Sequence, residues 1–216
     1  MPKIITFGTK EYLTAIRRLN NSVHNMEFIP FYDYQLRDLY KAFPEHFVNS
    51  KGFGWWLWKP FIIDFTLSKM DEDDILIYLD STIEIIKDPL KLINDGEDMA
   101  LFNNGQNHHE YCKSECYYGM ATPSALNQLQ ANGAIQIYRN TPLTRIFVEE
   151  YFTWCSQLDL INDNYLESVQ LSKFKEHRHD QAILTNLAIQ YNINLKTSPC
   201  QWGMKDKAFF NHHRTI

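Results

Sequence analysis

The chain has 216 residues, 44% of them hydrophobic and 14% aromatic, enough for one domain with a sizeable core. Its 21 Lys and Arg against 26 Asp and Glu give a formal charge of -5, which lacks the basic footprint of a nucleic-acid binder. The amino terminus shows no charged region followed by an apolar one, no run reaches the roughly 18 apolar residues of a membrane span, and Cys112, Cys116, Cys155 and Cys200 are too scattered for a disulfide framework; a soluble, intracellular protein with reduced thiols is expected.

In chain order, residues 3–7 (KIITF) predict a first strand of β-branched and aromatic residues, with Gly8 at the turn after it. Tyr12, Leu13, Ile16 and Leu19 recur at helical spacing. A second strand is predicted near residues 27–31, followed by a helix over Leu36, Leu39, Tyr40 and Phe43 that Pro44 ends. In GFGWWLWKPFIIDF, Pro60 suits the first turn of a helix carrying Phe61, Ile62, Phe65 and Leu67. The continuous apolar run Ile75 to Leu79 reads as a buried parallel strand. Strands at 99–102, 134–138 and 193–196 and helices near 143–157 and 180–190 complete the pattern. Strands alternating with helices predict an α/β fold, a single domain over 1–216 with a largely parallel central sheet and helices on both faces.

Four segments are candidate sites. Asp80, Ser81 and Thr82 close the apolar strand, at the edge where open α/β sheets bind ligands. Asp80 can hold a hard cation such as Mg2+ or Mn2+, or the trio can cap the next turn. In WLWKP, an anion would meet the amides of a helix opened by Pro60 with Lys59 beside it, or the three tryptophans simply pack. EHRHDQAIL crowds His177, Arg178, His179, Asp180 and Gln181 ahead of an apolar helical pattern; an N-cap needs one such residue, and the remainder suits a reaction centre. In the tail FFNHHRTI, His212 or His213 can reach the cation of Asp80 if the phenylalanines dock the segment. His108, His109, Cys112 and Cys116 do not match zinc-ligand spacing, and glycine-rich phosphate loops are absent from the sequence.

Taken together, GFGWWLWKPFII, DEDDILIYLDST, AIQIYRNTPLTRIFVEEYF and EHRHDQAIL resemble, in order and spacing, the small GT-A glycosyltransferases of bacterial polysaccharide gene clusters and of large algal viruses of the chlorella virus type. The resemblance implies a GT-A (Rossmann-like) fold and transfer of a hexose or deoxyhexose from a UDP-sugar to a glycan hydroxyl, with retention. It also implies Mn2+ or Mg2+ held by a D-x-D element, of which Asp80 is the first position while Thr82 stands at the second, leaving His212 to complete the site. By the same resemblance Thr6, Phe7 and Gly8 cradle the base and ribose, Tyr12 stacks on the uracil, and Trp58, Lys59, Ser81 and Thr82 border the nucleotide, with Lys59 on the diphosphate. His179, Asp180 and Gln181 fall at the sugar, and Arg139 assists from the opposite loop. A non-catalytic nucleotide-sugar module and a metal-dependent phosphoesterase are the competing classes, and the chain can be one module of a longer polypeptide.

Overall fold

The structure, a computed structural model, describes residues 1–213; the last three residues of the FFNHHRTI tail lie outside the described residues. Seven strands are present among them: β1 Lys3–Gly8, β2 Glu27–Tyr32, β3 Ile75–Leu79, β4 Ile83–Ile85, β5 Met99–Asn107, β6 Leu129–Arg139 and β7 Phe210–His212. Five form the central sheet in the order β2-β1-β3-β6-β5. Strands β2, β1, β3 and β5 run one way, and β6 alone is reversed, antiparallel to both its neighbours. An antiparallel neighbour needs no crossover helix on the sheet, so β6 can follow β5 through a local excursion.

Every residue of β3 is buried, because the sheet is covered on both faces. Strand alternation sends Leu76 and Tyr78 to one face, where the helices Trp58–Leu67, Pro142–Cys155 and His179–Gln190 pack with Ile5, Phe7 and Tyr138. Ile75, Ile77 and Leu79 point to the other face, against Leu19 of the helix Leu13–Asn21, Ile83, Cys200 and Phe210. Each fully buried Leu or Ile contributes about 1.5–3 kcal/mol, so the strand that ends at Asp80 is firmly anchored.

The structure departs from the sequence expectations at several places, including β6, which begins at Leu129 and not at 134. The segment 193–196 is no strand; Lys196 makes one bridge to Phe102 at the edge of β5. Strand β5 runs on to Asn107 instead of stopping at 102, with register shifts against β6 at Asn103 that bend it. The helix expected to open at Pro60 starts at Trp58. Strands β4 and β7 pair in a second, small sheet that docks the tail, with Phe210 wholly buried and Ile83 opposite His212. Among the described residues no helix is long and apolar enough to cross a membrane.

Candidate active site

Asp80 extends the β3 ladder by one hydrogen bond, from its N–H to Ala134 O at 2.9 Å, and the chain then turns through Ile83 N to Asp80 O. Among the described residues its side-chain partners are not backbone amides. The Tyr78 hydroxyl donates to Oδ1, and the Lys59 ammonium lies 3.7 Å from the same atom. About a third of the carboxylate side chain remains exposed.

Lys59 is the electrostatic centre of the site. It is 2% exposed, donates to Gly133 O at 3.0 Å and sits 2.8 Å from Asp180 Oδ2. Burial opposes its charge, but Asp180 and Asp80 together outweigh that and hold the ammonium above the ordinary lysine pKa. Burial also raises the Asp180 carboxyl above the usual carboxylate range, against the pull of Lys59. Asp180 lies in the first turn of its helix and accepts from Tyr151 Oη at 3.1 Å; the cap position belongs to Arg178. Beside it Gln181 Oε1 accepts from Gly133 N–H at 3.0 Å, tying the helix to β6. Gly133 eases this close approach, since a Cβ there would lie 3.3 Å from each of Asp180 Oδ2, Gln181 Cβ and Lys59 Nζ and press them outward.

Two cavities meet at Asp80. The smaller, of about 440 Å3, is lined by Phe7, Gly8, Thr9, Tyr12, Gly52, Phe53, Trp56, Trp58, Asp80, Ser81 and Thr82. Its aromatic walls, with Phe7 stacked on Trp58 at 4.1 Å, suit the flat apolar faces of a nucleobase. The larger, of about 860 Å3, holds Lys59, Asp80, Gly133, Asp180, Gln181 and His212, with Asn103 to Gln106 and Trp202 farther out. Trp56 and Asp80 line both.

The wall between the cavities is a left-handed turn. Gly52, Phe53, Gly54, Trp55 and Trp56 all have positive φ, a conformation costing about 1–2 kcal/mol for each residue that carries a side chain. Packing holds it. Trp55 and Trp56 lie 5.3 and 4.8 Å from the His179 ring, the Trp58 indole donates to Gly52 O, and a Cβ on Gly54 would meet the Phe47 ring at 2.3 Å. His179 also has positive φ, bonds Asp163 at 2.9 Å, and is held below the ordinary histidine pKa by burial. Concentrated backbone strain of this kind is characteristic of functional sites.

The donor set fits a cation shared with a substrate's phosphates, not an all-protein cage. Asp80 and His212 border one cavity, and among the described residues no group of three His, Cys, Asp or Glu side chains surrounds one point. His213 is turned away, its Nε2 2.9 Å from Glu84 Oε2.

Most of the sequence candidates converge: Phe7, Gly8, Tyr12, Trp58, Ser81 and Thr82 line the smaller cavity, Lys59, His179, Asp180, Gln181 and His212 the larger, and Asp80 both. Arg139 does not belong. It pairs with Ile75 at the opposite end of β3 and bonds the carbonyls of Glu97, Asn94 and Asp73, because β6 runs away from the site. Thr6 is wholly buried and borders neither cavity, since alternation turns it away from Phe7. Lys59 reaches the carboxylates from beneath, and its N–H is taken by Trp56 O at 2.9 Å, so the helix start offers no open anion site there. His108 bonds Asn186, whose amide donates to the sulfurs of Cys116 and Met120 in the core. Trp56, Gly133, Tyr151 and the amides of residues 103–106 were not anticipated; the polar NNGQN directly after an apolar strand was the available signal.

No protein-family model matches the sequence, and no curated protein does. Solved structures do resemble the fold. Mouse xyloside xylosyltransferase 1 superposes with a TM-score of 0.54 at 13% identity, over 99% of this chain and 97% of that one. A glycosyltransferase involved in the glycosylation of the major capsid of PBCV-1 gives 0.53 at 10% identity, over 99% and 94%. The galactosyltransferase LgtC, solved with donor and acceptor sugar analogues, gives 0.51 at 13% identity, over 86% and 70%. With its five-stranded sheet, single reversed strand and carboxylate at the end of β3, the chain has the fold of the GT-A glycosyltransferases.

Proposed function

We propose that the chain is a glycosyltransferase that moves a hexose or deoxyhexose from a UDP-sugar to a glycan hydroxyl, assisted by Mn2+ or Mg2+, with retention of configuration. One observation carries the reading. An aromatic-walled cavity and a polar one join at Asp80 and Trp56, which matches a donor whose base and sugar are linked through a diphosphate. The resemblance of the fold to known glycosyltransferases supports the same class.

In this reading the base lies between Tyr12, Phe53 and Trp58, and the diphosphate passes Asp80, Ser81 and Thr82. Asp80 and His212 would hold the cation, which when bound neutralises charge on the departing diphosphate. Gln181 and Asp180 border the sugar, and the Asp180 carboxylate stabilises positive charge developing at the anomeric carbon. The bond from that carbon to the phosphate oxygen breaks, its electron pair leaving with UDP, and the acceptor oxygen bonds the same carbon. Its proton passes to the leaving phosphate oxygen. Retention rests on the resemblance of the fold and is supported by the carboxylates of the larger cavity, since Asp180 is engaged by Lys59 and Tyr151, Glu176 by Arg178 at 2.6 Å, and Asp80 is placed at the phosphates.

UDP-sugar hydrolysis, measured with and without Mn2+ in the natural chain and in Asp80→Ala, tests this. Metal-dependent turnover that the substitution abolishes is expected. Tight UDP binding without turnover would instead indicate a non-catalytic module, which Thr82 at the second D-x-D position allows, and release of inorganic phosphate a phosphoesterase.

A further inference from the structure

Besides the Lys59 cluster, the larger cavity has a second stretch of wall with a different chemistry. At about 860 Å3 it lies in the upper part of the range of ligand pockets, roughly 300–1,000 Å3. That stretch is built from Asn103, Asn104, Gln106, Ser198 and Trp202. Resting on the transferase reading, we propose that this wall is an acceptor subsite for an uncharged glycan, whose hydroxyls pair with the carboxamides and whose apolar ring face stacks on Trp202.

The carboxamides are presented in fixed orientations. Asn104 Nδ2 donates to Gln106 Oε1 at 3.0 Å, and Gln106 N–H donates to Asn104 Oδ1 at 2.9 Å. Asn103 Nδ2 is held by Lys196 O at 2.9 Å. From Asn104 the network continues to Gln130 Oε1 at 3.4 Å, which accepts from Gln181 Nε2 at 2.7 Å, and Gln181 in turn holds Gly133 beside the Lys59 pair. The wall is thus linked to the reaction centre by one chain of amides. A carboxamide both donates and accepts, as a sugar hydroxyl does, and a site built to bond hydroxyls discriminates strongly against ligands that lack them.

Charge points the same way. The ionic side chains at the rim are matched within the protein: Lys51 with Asp163 at 2.5 Å, Arg178 with Glu176 at 2.6 Å and with the Tyr111 ring at 5.1 Å. A carboxylated or sulfated acceptor would displace one of these pairs or face the Asp80 carboxylate. Trp202 is 55% exposed, with the His212 ring 5.2 Å away, so the same cavity offers an indole surface beside the carboxamides. Large aromatic faces bury the C–H side of a sugar ring while its hydroxyls remain at the polar wall.

Transfer from UDP-glucose, UDP-galactose and UDP-xylose to methyl glucosides, galactosides, mannosides and xylosides is compared with transfer to glucuronides, sulfated sugars and a Ser/Thr peptide, with donor hydrolysis read separately. Neutral glycosides should be the better acceptors by about tenfold or more in kcat/KM. Trp202→Ala should raise the acceptor KM about tenfold while the donor KM changes by less than about twofold, and Trp202→Phe should recover most of the loss. Preference for anionic acceptors, or equal shifts in donor and acceptor KM, would overturn the subsite while leaving the transferase reading in place. Absence of turnover with every nucleotide sugar would remove both.

Discussion

The Lys59 ammonium and the Asp180 carboxylate meet at 2.8 Å with side chains only 3% and 5% exposed, so each is the other's main source of charge compensation. Removing one partner of a buried pair leaves a desolvated charge, which costs about 3–5 kcal/mol. Lys59→Met and Asp180→Asn are each expected to lower stability by that amount in urea denaturation. The double variant should cost less than the two single losses added together, and simple additivity would contradict the coupling.

Gly133→Ala tests how tightly the cluster is set. The new methyl would press on Asp180, Gln181 and Lys59 together at 3.3 Å. Overpacking of this kind costs about 1–3 kcal/mol. Turnover should fall about tenfold or more with donor affinity largely kept, because in the proposed function the displaced groups border the sugar and not the base; a fully active variant would contradict that assignment.

His212 and His213 should separate cleanly. Only His212 borders the Asp80 cavity, while His213 is bonded to Glu84. Titration of activity with Mn2+ should show the half-saturating concentration rising about tenfold or more in His212→Ala, the effect of losing roughly 1.4 kcal/mol of binding, and unchanged in His213→Ala. The reverse pattern would reassign the cation ligand.

Gly54→Ala probes the left-handed turn. At φ 81 and with the Phe47 ring 2.3 Å from the added Cβ, the turn cannot keep its shape. A stability loss of about 1–3 kcal/mol is expected, together with weaker UDP binding by calorimetry, since Gly52, Phe53 and Trp56 wall the smaller cavity. UDP affinity equal to that of the natural chain would show that the turn has no part in the site.

Acid should destabilise the fold through its buried histidines. Burial lowers the His108 pKa to about 4, with the Asn186 hydrogen bond opposing, and also depresses His177 and His179. These groups are protonated near 6.5 when unfolded. A depressed folded pKa gives stability that is complete above about 6.5 and is lost as pH falls toward 4, worth up to about 3 kcal/mol for His108 alone. Unfolding free energy measured from pH 7 to 4.5 should fall, and His108→Gln, which keeps a neutral donor toward Asn186, should flatten the slope.

Local apolar pattern revealed the backbone of the fold well. Ile75 to Leu79 could only be a covered strand, and the placement of Asp80 followed from that. The helices near 143–157 and 180–190 were likewise legible, because their apolar spacing serves burial against the sheet. Arg139 was misassigned because strand direction is a long-range property: the residues of β6 look the same read in either sense, and only pairing with β3 and β5 shows that position 133, not 139, lies at the site. The left-handed turn was hidden for another reason. Phe53, Trp55 and Trp56 disfavour that conformation locally, and only tertiary contacts with His179 and Phe47 impose it. The role of Lys59 beneath the carboxylates was equally invisible, since nothing in WLWKP states which way its side chain turns.

The reversed direction of β6 makes the floor beneath Asp80 and Asp180 partly a main-chain construction. Running opposite to its neighbours, β6 presents main-chain atoms beside the end of β3: Ala134 O receives the Asp80 N–H, Gly133 O receives Lys59, and the Gly133 N–H donates to Gln181. Two side chains and one backbone amide are thereby positioned by main-chain atoms of β6. Side-chain replacements on that strand that add no bulk at Gly133 leave such anchors intact, so the neighbouring amide wall can vary while the Lys59 cluster keeps its supports.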